Sequence, residues 1–327
     1  MDKNQTQIRW GVLGAARIAT VKVIPAMQQC TLGRVTAIAS RDSQKSRQAA
    51  DSLAIPRAYG SYEELLKDPE IDAIYNPLPN HLHLTWTLKA AANGKHVLCE
   101  KPIGMNASEC KQLIEARDRH DVKIGEAFMV RSHPQWLRAR ELIQNGRLGK
   151  LRSVITAFSY NNQDPQNIRN IPEYGGGALM DIGCYAIQIS RWMFGEEPMA
   201  VQSAIDRDPA MHTDRLTSAL LTFPSGHAIF TCSTQLIPYQ RVQLLCTEGR
   251  VEIEIPFNAP PDQPSRIFIT TPNGQTTEEF PACDQYTLQG DAFSRAILDN
   301  TEVPTPLEDA LRNMEVIDRV FANAPSK

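Results

Sequence analysis

The chain has 327 residues, which is too long for one ordinary hydrophobic core and sufficient for two domains. Apolar residues make up 42% of it and charged residues 22%, a balance typical of a folded globular protein rather than a disordered one. The 34 basic and 37 acidic residues give a net charge of −3, which argues against an electrostatic nucleic-acid binder, and no apolar run is long enough to span a bilayer.

Strands and helices alternate through the first third of the chain. Strands are predicted at Ile8–Leu13, Val35–Ala39, Ala73–Tyr75 and His96–Cys99. Helices are predicted around residues 18–27 and at Gln44–Leu53, Leu82–Asn93 and Ala107–His120. Ser61 opens a Ser-x-x-Glu capping box, and Asn106 is a candidate N-cap. The alternation requires parallel strands with crossover helices, so we expect a doubly wound dinucleotide-binding domain over residues 1–125.

The rest of the chain has a different pattern. Strands are predicted at Leu151–Ser159, Leu216–Phe223, His227–Thr234, Val242–Cys246, Val251–Ile255 and Ile267–Thr271. Helices are predicted at Pro134–Gln144, Leu179–Phe194 and Leu307–Phe321. Because turns rather than helices separate the strands, we expect an antiparallel sheet. The predicted fold class is therefore α/β, with a second domain over residues 126–327.

The N-terminal residues and the cysteines favour a cytoplasmic protein. Residues 1–7 contain no apolar core of a secretion signal and lead directly into a strand. The seven cysteines are widely scattered, and no close pair has the spacing of zinc ligands. We therefore expect reduced thiols, a cytoplasmic location and no metal site.

The turn after the first strand resembles a dinucleotide fingerprint. It reads Gly14-x-Ala16-x-x-Ala19, where the consensus is Gly-x-Gly-x-x-Gly or Ala. Gly14 permits the tight turn, whereas Ala16 places a methyl group where glycine lets the backbone approach the pyrophosphate. The alternative is an ordinary strand-to-helix turn. The expected cofactor-binding residues here are Gly14, Ala15, Ala16, Arg17 and Ile18.

The end of the second strand predicts which cofactor is bound. An NAD enzyme usually has Asp or Glu at this place to bind the ribose 2′-hydroxyl. This chain has Ser40 and Arg41, followed by Lys45. A guanidinium can pair with a 2′-phosphate and a serine can donate to it, so we expect NADP, with NAD as the alternative. A solvated basic turn would have the same composition.

Two further clusters follow strands of the first domain, at the edge where open parallel sheets bind ligands. Asn76–His83 contains Pro77, Leu78, Asn80 and His83, and its two prolines favour an extended backbone. Glu100-Lys101-Pro102 directly follows His96–Cys99. We expect Pro77, Leu78, Asn80, Glu100 and Lys101 to contact the cofactor, with the Lys101 side chain directed into the crevice.

Five motifs in order resemble the glucose–fructose oxidoreductase/inositol dehydrogenase family. They are Gly11–Ala19, Asn76–His83, Glu100–Pro102, Glu126–Met129 and Gly175–Tyr185. Each is weak alone, but the ordered set covers nearly the whole chain. The resemblance implies a Rossmann domain, a C-terminal α/β domain with a large, mostly antiparallel sheet, and hydride transfer between a nicotinamide and a sugar-like alcohol or carbonyl.

The resemblance also implies roles for individual residues. Many relatives have Asp and His where this chain has Asp181 and Tyr185, and a subset that includes dimeric dihydrodiol dehydrogenase and NADP-dependent xylose dehydrogenase has tyrosine. Tyr185 beside the Lys101 cation would exchange the substrate's hydroxyl proton, and Asp181 would orient the substrate or the lysine. His83 would line the nicotinamide side. The expected substrate contacts are Lys101, Met129, Arg131, Asp181 and Tyr185.

Alternative interpretations remain open at this point. Tyr185 can equally be a core tyrosine, and Asp181 a carboxylate favoured by a helix N-terminus. His133 can border a sugar pocket or cap a helix. The whole protein can instead be a redox-assisted glycoside hydrolase with tightly bound NAD, or a non-catalytic cofactor-binding regulator. Consecutive apolar residues in Ala228–Phe230 and Leu244–Cys246 further predict a homo-oligomer, a dimer or tetramer, formed through one sheet face.

Overall fold

The computed structural model describes residues 7–324; residues 1–6, which are six of the seven on which the expectation of no secretion signal rests, lie outside the described residues. The chain forms two compact units, each with its own sheet. The first comprises the described part of Met1–Ser132 together with Asp284–Leu311, and the second comprises His133–Cys283 with the described part of Arg312–Lys327. Within residues 7–324, no helix combines the length and the apolar character that crossing a membrane requires.

The sheet of the first unit is parallel throughout. Its strands are β1 (Ile8–Leu13), β2 (Gly33–Ala39), β3 (Arg57–Tyr59), β4 (Ala73–Asn76), β5 (His96–Cys99) and β6 (Ile124–Glu126). Their order is β3-β2-β1-β4-β5-β6. The strand order reverses between β1 and β4, and such a switch point is where doubly wound sheets bind ligands. The prediction of a doubly wound parallel sheet is confirmed.

Helices connect these strands. They are α1 (Ile24–Met27), which follows a π-helical turn at Ala19–Val23, α2 (Ser43–Ser52), α3 (Tyr62–Lys67), α4 (His83–Ala92) and α5 (Ala107–His120). The predicted caps are present, because the side chains of Ser61 and Asn106 accept hydrogen bonds from the amides three residues later. The Glu64 carboxylate accepts from the amide of Gly60 at 3.2 Å, one residue before the position that a capping box requires.

The sheet of the second unit has eight strands among the described residues. They are β7 (Leu151–Asn161), β8 (Ala200–Arg207), β9 (Asp214–Thr222), β10 (His227–Ser233), β11 (Gln235–Cys246), β12 (Arg250–Ile253), β13 (Ser265–Thr271) and β14 (Gly274–Phe280). Their order is β14-β13-β12-β11-β7-β10-β9-β8. All neighbours are antiparallel except β7 and β10. That exception arises because β8, β9 and β10 form a meander whose last strand pairs with β7.

Helices cover one face of this sheet. They are α6 (Pro134–Gln144) and α7 (Cys184–Phe194), the latter preceded by a π-helical turn at Leu179–Gly183. On β10, Ala228 and Phe230 are buried, whereas Ile229 between them is 48% exposed. Ile229 pairs with Ile155 of β7, which is 38% exposed. The opposite face therefore carries apolar side chains that nothing covers within residues 7–324 of the single chain.

A late segment of the chain belongs to the first unit. α8 (Gln285–Leu298) packs against β1, and the rings of Phe293 and Trp10 lie 5.6 Å apart between centroids. The Trp10 indole donates to the Ser294 hydroxyl at 3.1 Å. α9 (Leu307–Ala322) follows. The packing units thus differ from a single division near residue 125, because Trp10 finds its partners 283 and 284 positions later. The functional division into 1–125 and 126–327 stays a prediction.

Candidate functional site

The turn after β1 has the geometry that close approach of a ligand requires. Gly14 has a φ of +86°, a left-handed conformation that side chains disfavour. A Cβ atom there would lie 3.1 Å from Leu78 and 3.4 Å from the Tyr62 hydroxyl. The amide of Thr20 donates to the carbonyl of Ala16 at 3.0 Å, so the helix begins directly after the turn. The other predicted cofactor contacts here are at least partly accessible: Ala15, Ala16, Arg17 and Ile18.

At the end of β2, the nearby carboxylate is already engaged. Asp42 caps α2 by accepting from the amides of Gln44 and Lys45 at 2.9 and 3.1 Å. Ser40 is buried and accepts from the amide of Asp42 at 3.2 Å; its hydroxyl can also donate. Lys45 is exposed. An Asp42 carboxylate held in a cap is poorly placed to bind a ribose 2′-hydroxyl.

The Arg41 guanidinium lies beside the turn. Its side chain is exposed and interacts with the phenol of Tyr62. Burial raises the pKa of Tyr62, and the positive charge of Arg41 opposes that shift. Since the Tyr62 hydroxyl is also next to Gly14, Arg41 and the turn after β1 border the same place. These residues fit the 2′-phosphate end of NADP.

The loop after β4 is held by buried polar side chains. The Asn76 Oδ1 accepts from the amide of Leu78 at 3.3 Å, and its Nδ2 donates to the Thr87 hydroxyl at 3.2 Å. His83 has no exposed surface, and its Nδ1 and Nε2 face the carbonyl oxygens of Pro102 and Leu78 at 2.8 and 2.6 Å. Burial lowers the pKa of His83 to about 4, while the two carbonyl oxygens act in the opposite direction.

His83 joins the loop after β4 to the loop after β5 through these two carbonyl oxygens. Its predicted place on the nicotinamide side stays a prediction. Pro77 and Leu78 are buried and Asn80 is partly exposed in the loop that His83 supports. Their contacts with a cofactor stay predictions.

The turn after β5 is fixed by two carboxylates. The buried Tyr75 hydroxyl donates to Glu100 Oε1 at 2.7 Å, and the amide of Lys101 donates to Oε2 at 3.3 Å. Below them, the buried Glu126 accepts from the amide of Ile103 at 2.8 Å. Glu100 thus has a structural role in this turn, and its predicted cofactor contact stays a prediction. Lys101 is partly exposed on the turn that these contacts hold.

The predicted substrate contacts near residue 130 have partners within the first unit. Met129 is 4% exposed. Arg131 donates to the carbonyl of Pro304 at 3.2 Å and lies 3.8 Å from Asp309. These contacts tie the turn at Met129–Ser132 to the segment after α8, and direct contact of Met129 and Arg131 with substrate stays a prediction.

Of the two alternatives for His133, the structure shows the helix cap. Its Nδ1 accepts from the amide of Gln135 at 3.3 Å at the start of α6. Burial lowers the pKa of His133 to about 4, so the ring is neutral near pH 7 and one nitrogen is available as an acceptor.

In the second unit, a buried carboxylate sets the start of the helix that carries Asp181 and Tyr185. Asp214 on β9 is 1% exposed, and its Oδ2 accepts from the amide of Leu179 at 2.7 Å and the hydroxyl of Thr217 at 2.8 Å. Burial raises the pKa of Asp214 to about 6. Gly177 has a φ of +115°, and a Cβ atom on it would lie 1.9 Å from Asp214 Oδ1. Glycine is therefore required beside this carboxylate.

The carboxylate of Asp181 is held by two donors. Its Oδ2 accepts from the Tyr160 hydroxyl at 2.6 Å and from Arg169 Nε at 2.9 Å. Burial raises the pKa of Tyr160, and the neighbouring carboxylate adds to the shift. Tyr160 is therefore a neutral hydrogen-bond donor at ordinary pH.

Tyr185 lies in an aromatic environment on the same helical segment. It is 5% exposed, and its ring centroid is 6.1 Å from that of Phe158 and 5.3 Å from that of Phe257. The predicted single α-helix is in fact a π-helical turn that contains Asp181, followed by α7, which contains Tyr185. Such π-helical turns are frequent at functional sites. The structure thus places both residues on one continuous helix whose pitch changes between them.

Sequence reasoning missed several residues of these sites. They are Tyr62, Tyr160, Arg169, Asp214 and Phe257. Arg169 lies 12 positions before Asp181, and Asp214 lies 35 positions after Leu179. No local pattern links residues at such separations. In residues 7–324, no group of three or more His, Cys, Asp or Glu side chains is arranged to hold a metal ion.

Two family models match this chain, one after the other along the sequence. Residues 8–128 match the oxidoreductase family with an NAD-binding Rossmann fold, and residues 136–252 match the GFO/IDH/MocA C-terminal domain. D-xylose 1-dehydrogenase (NADP(+)) 2 of Haloferax volcanii is 38% identical over 320 residues, which are 96% of this chain and 97% of that protein. Trans-1,2-dihydrobenzene-1,2-diol dehydrogenase of Xenopus tropicalis is 37% identical over 256 residues, 75% of this chain and 74% of that protein.

A solved structure extends the similarity to the whole fold. A 3-ketoreductase from Actinomadura kijaniata, in complex with NADP and TDP-benzene, has a TM-score of 0.91 with this chain at 28% identity, and the match covers 98% of both chains. The doubly wound sheet, the fingerprint turn and both matched domains lead to one conclusion. The chain belongs to the GFO/IDH/MocA family and is an oxidoreductase that binds NAD(P) in a Rossmann domain.

Proposed function

We propose that this protein is an NADP-dependent oxidoreductase that interconverts a CH–OH group and a carbonyl in a sugar, a polyol or a cyclic trans-diol. The observation that carries the reaction type is the helix that begins at Leu179, with an oriented carboxylate at Asp181 and a phenol at Tyr185. The relatives named for D-xylose and for a dihydrodiol support the substrate class.

Different residues bind the cofactor and carry out the proton transfer. The turn at Gly14 holds the pyrophosphate, and Ser40 and Arg41 hold the 2′-phosphate. When bound, the nicotinamide supplies the hydride acceptor or donor. In oxidation, Tyr185 takes the proton of the substrate hydroxyl; in reduction it returns that proton to the alkoxide. The Lys101 cation favours the phenolate, and Asp181 accepts a hydrogen bond from a substrate hydroxyl.

The test measures reduced cofactor by its absorbance with NADP or NAD and a panel of aldoses, polyols and trans-diols. We expect turnover with NADP on at least one class. Tyr185→Phe should lower kcat by about 10²- to 10⁴-fold, the usual contribution of a positioned acid–base, and Lys101→Ala by at least as much. Tyr239→Phe is the matched control, since this tyrosine of the second unit is 51% exposed, and it should turn over normally.

Three outcomes would contradict the proposal. Near-normal turnover of a folded Tyr185→Phe variant removes the phenol from the mechanism. Release of a sugar from a glycoside with no net cofactor reduction indicates a redox-assisted hydrolase. Tight NADP binding without turnover on any member of the panel favours a cofactor-binding regulator.

We also propose that the protein is a homo-oligomer, a dimer or tetramer. The support is the open face of the second sheet, where Ile155 and Ile229 pair side by side and both are more than one third exposed. Contiguous apolar surface of this kind is typical of protein interfaces.

A further inference from the structure

Two hydrogen bonds to the Asp181 carboxylate involve the same oxygen. Both the Tyr160 hydroxyl and Arg169 Nε donate to the same oxygen, Oδ2, at 2.6 and 2.9 Å. Because a carboxylate is rigid and planar, two donors on one of its oxygens restrict rotation of the whole group. We call Tyr160, Arg169 and Asp181 the carboxylate clamp.

The two donors are themselves held by the backbone around the helix start. The Asn167 side chain accepts from the amide of Arg169 at 3.1 Å, and the carbonyl of Arg169 accepts from the amide of Gly177 at 2.8 Å. A Cβ atom on Gly176 would lie 2.6 Å from that carbonyl oxygen, so the loop can pass this closely only beside glycine. The arginine is thus placed by the same turn that begins the Asp181 helix.

Tyr160 is the donor to Asp181 that comes from the sheet. It stands at the end of β7, two positions after Phe158, whose ring contacts Tyr185. Its phenol is largely buried and stays protonated, so it can only donate to the carboxylate. The clamp therefore draws on the end of β7, the loop at residues 162–178 and the helical turn that follows it, three consecutive segments of the chain.

We propose that Tyr160 and Arg169 are positioning residues of the reaction, which fix the Asp181 carboxylate in the orientation that the reaction requires. The inference rests on the proposed function and adds two residues to it. Small misplacements of a positioned group cost rate steeply, since about 1 Å can cost about 10²-fold. Loss of either donor lets the carboxylate turn about its side-chain bonds, which weakens catalysis without removing any group that touches the substrate.

The experiment is a double-mutant cycle. Arg169→Ala and Tyr160→Phe should each lower kcat/KM by about 10- to 100-fold, with NADP affinity unchanged. In the Asp181→Asn variant, either change should lower kcat/KM by less than about threefold further, because the carboxylate that Tyr160 and Arg169 position has already been removed. Guanidinium ion added to Arg169→Ala should restore part of the rate. If kcat/KM of the double variant falls by the product of the two single losses, the proposal is wrong.

Arg266→Ala is the matched control. Arg266 Nε donates to Glu254 Oε2 at the same 2.9 Å in the same unit, and Arg266 lies on β13, which is separated from β9 by four other strands of the sheet. This variant should keep kcat/KM within about twofold and should not respond to guanidinium. An equal loss in Arg266→Ala would mean that any removed arginine perturbs the unit, which contradicts a specific clamp.

A second readout separates this inference from the proposed function. The same cycle on chemical unfolding measures whether Arg169 and Asp181 interact, whatever the protein catalyses. Arg169→Ala should raise the unfolding equilibrium constant by a larger factor in the parent protein than in the Asp181→Asn variant. If the parent protein shows no NADP-linked turnover, the proposed function fails. The unfolding cycle still shows whether Arg169 and Asp181 interact. Additive effects on unfolding would overturn the clamp itself.

Discussion

Replacing Arg41 by Asp should reverse the preference between the two nicotinamide cofactors. The structure places this exposed guanidinium beside Tyr62 and the Gly14 turn, while the nearby Asp42 carboxylate is engaged in capping α2. A hydrogen bond to a charged group contributes about 1.5–3 kcal/mol, which corresponds to about 10- to 150-fold in affinity. Aspartate also brings a negative charge towards the 2′-phosphate, so the loss for NADP should lie at the upper end of this range.

NAD lacks the 2′-phosphate and should be affected by less than about threefold. The measurement is a fluorescence titration of each reduced cofactor with each variant, at two salt concentrations. Arg47→Asp is the matched control, because Arg47 is an exposed residue of α2 and the change in net charge is identical. An equal loss for NADP and NAD, or the same loss of NADP affinity in Arg47→Asp, would refute the assignment of Arg41 to the 2′-phosphate.

Three further predictions concern the second unit. Gly177→Ala should lower the free energy of unfolding by more than about 3 kcal/mol, because its Cβ would meet Asp214 Oδ1 at 1.9 Å, whereas Gly195→Ala, with a positive φ and open space, should lose only about 1–2 kcal/mol. Because burial raises the folded-state pKa of Asp214 to about 6, above the about 3.9 of an unfolded chain, its contribution to stability is present below pH 4 and is lost as the pH rises through 6. Asp214→Asn should therefore become more stable relative to the parent by roughly 2–3 kcal/mol between pH 4 and pH 7 in urea unfolding, and a difference that does not change with pH would contradict this. Ile229→Asp should convert an oligomer to a monomer in light scattering at micromolar concentration, and a monomeric parent protein would remove the premise.

Short-range patterns predicted much of the fold correctly. The strands β1 and β5 and the helices α5 and α6 have the bounds that the sequence indicates. Each of these elements has a hydrophobic period or a capping side chain within its own few residues, and that information does not depend on the rest of the chain. The doubly wound order follows, because alternating strands and helices leave few alternatives.

Several elements that the sequence did not indicate have weak local signals. β3, with three residues, and β14, which is largely exposed and polar, form because a neighbouring strand offers its free edge. α8 was not predicted, although the Asp284 side chain caps it by accepting from the amide of Tyr286. Its place in the first unit depends on Phe293 and Ser294 meeting Trp10, a contact between opposite ends of the chain.

The sequence by itself determined the class of the protein: a Rossmann turn at Gly14, a basic end of β2 at Arg41, and a lysine and a tyrosine in the order of one oxidoreductase family. Only the tertiary structure decided what individual polar groups do. It buried His83 between two carbonyl oxygens, placed Asp42 in a helix cap, and brought two donors to Asp181. The physical reason is that the type of a residue sets which bonds it can make, whereas burial and contacts between distant segments select which of them it makes.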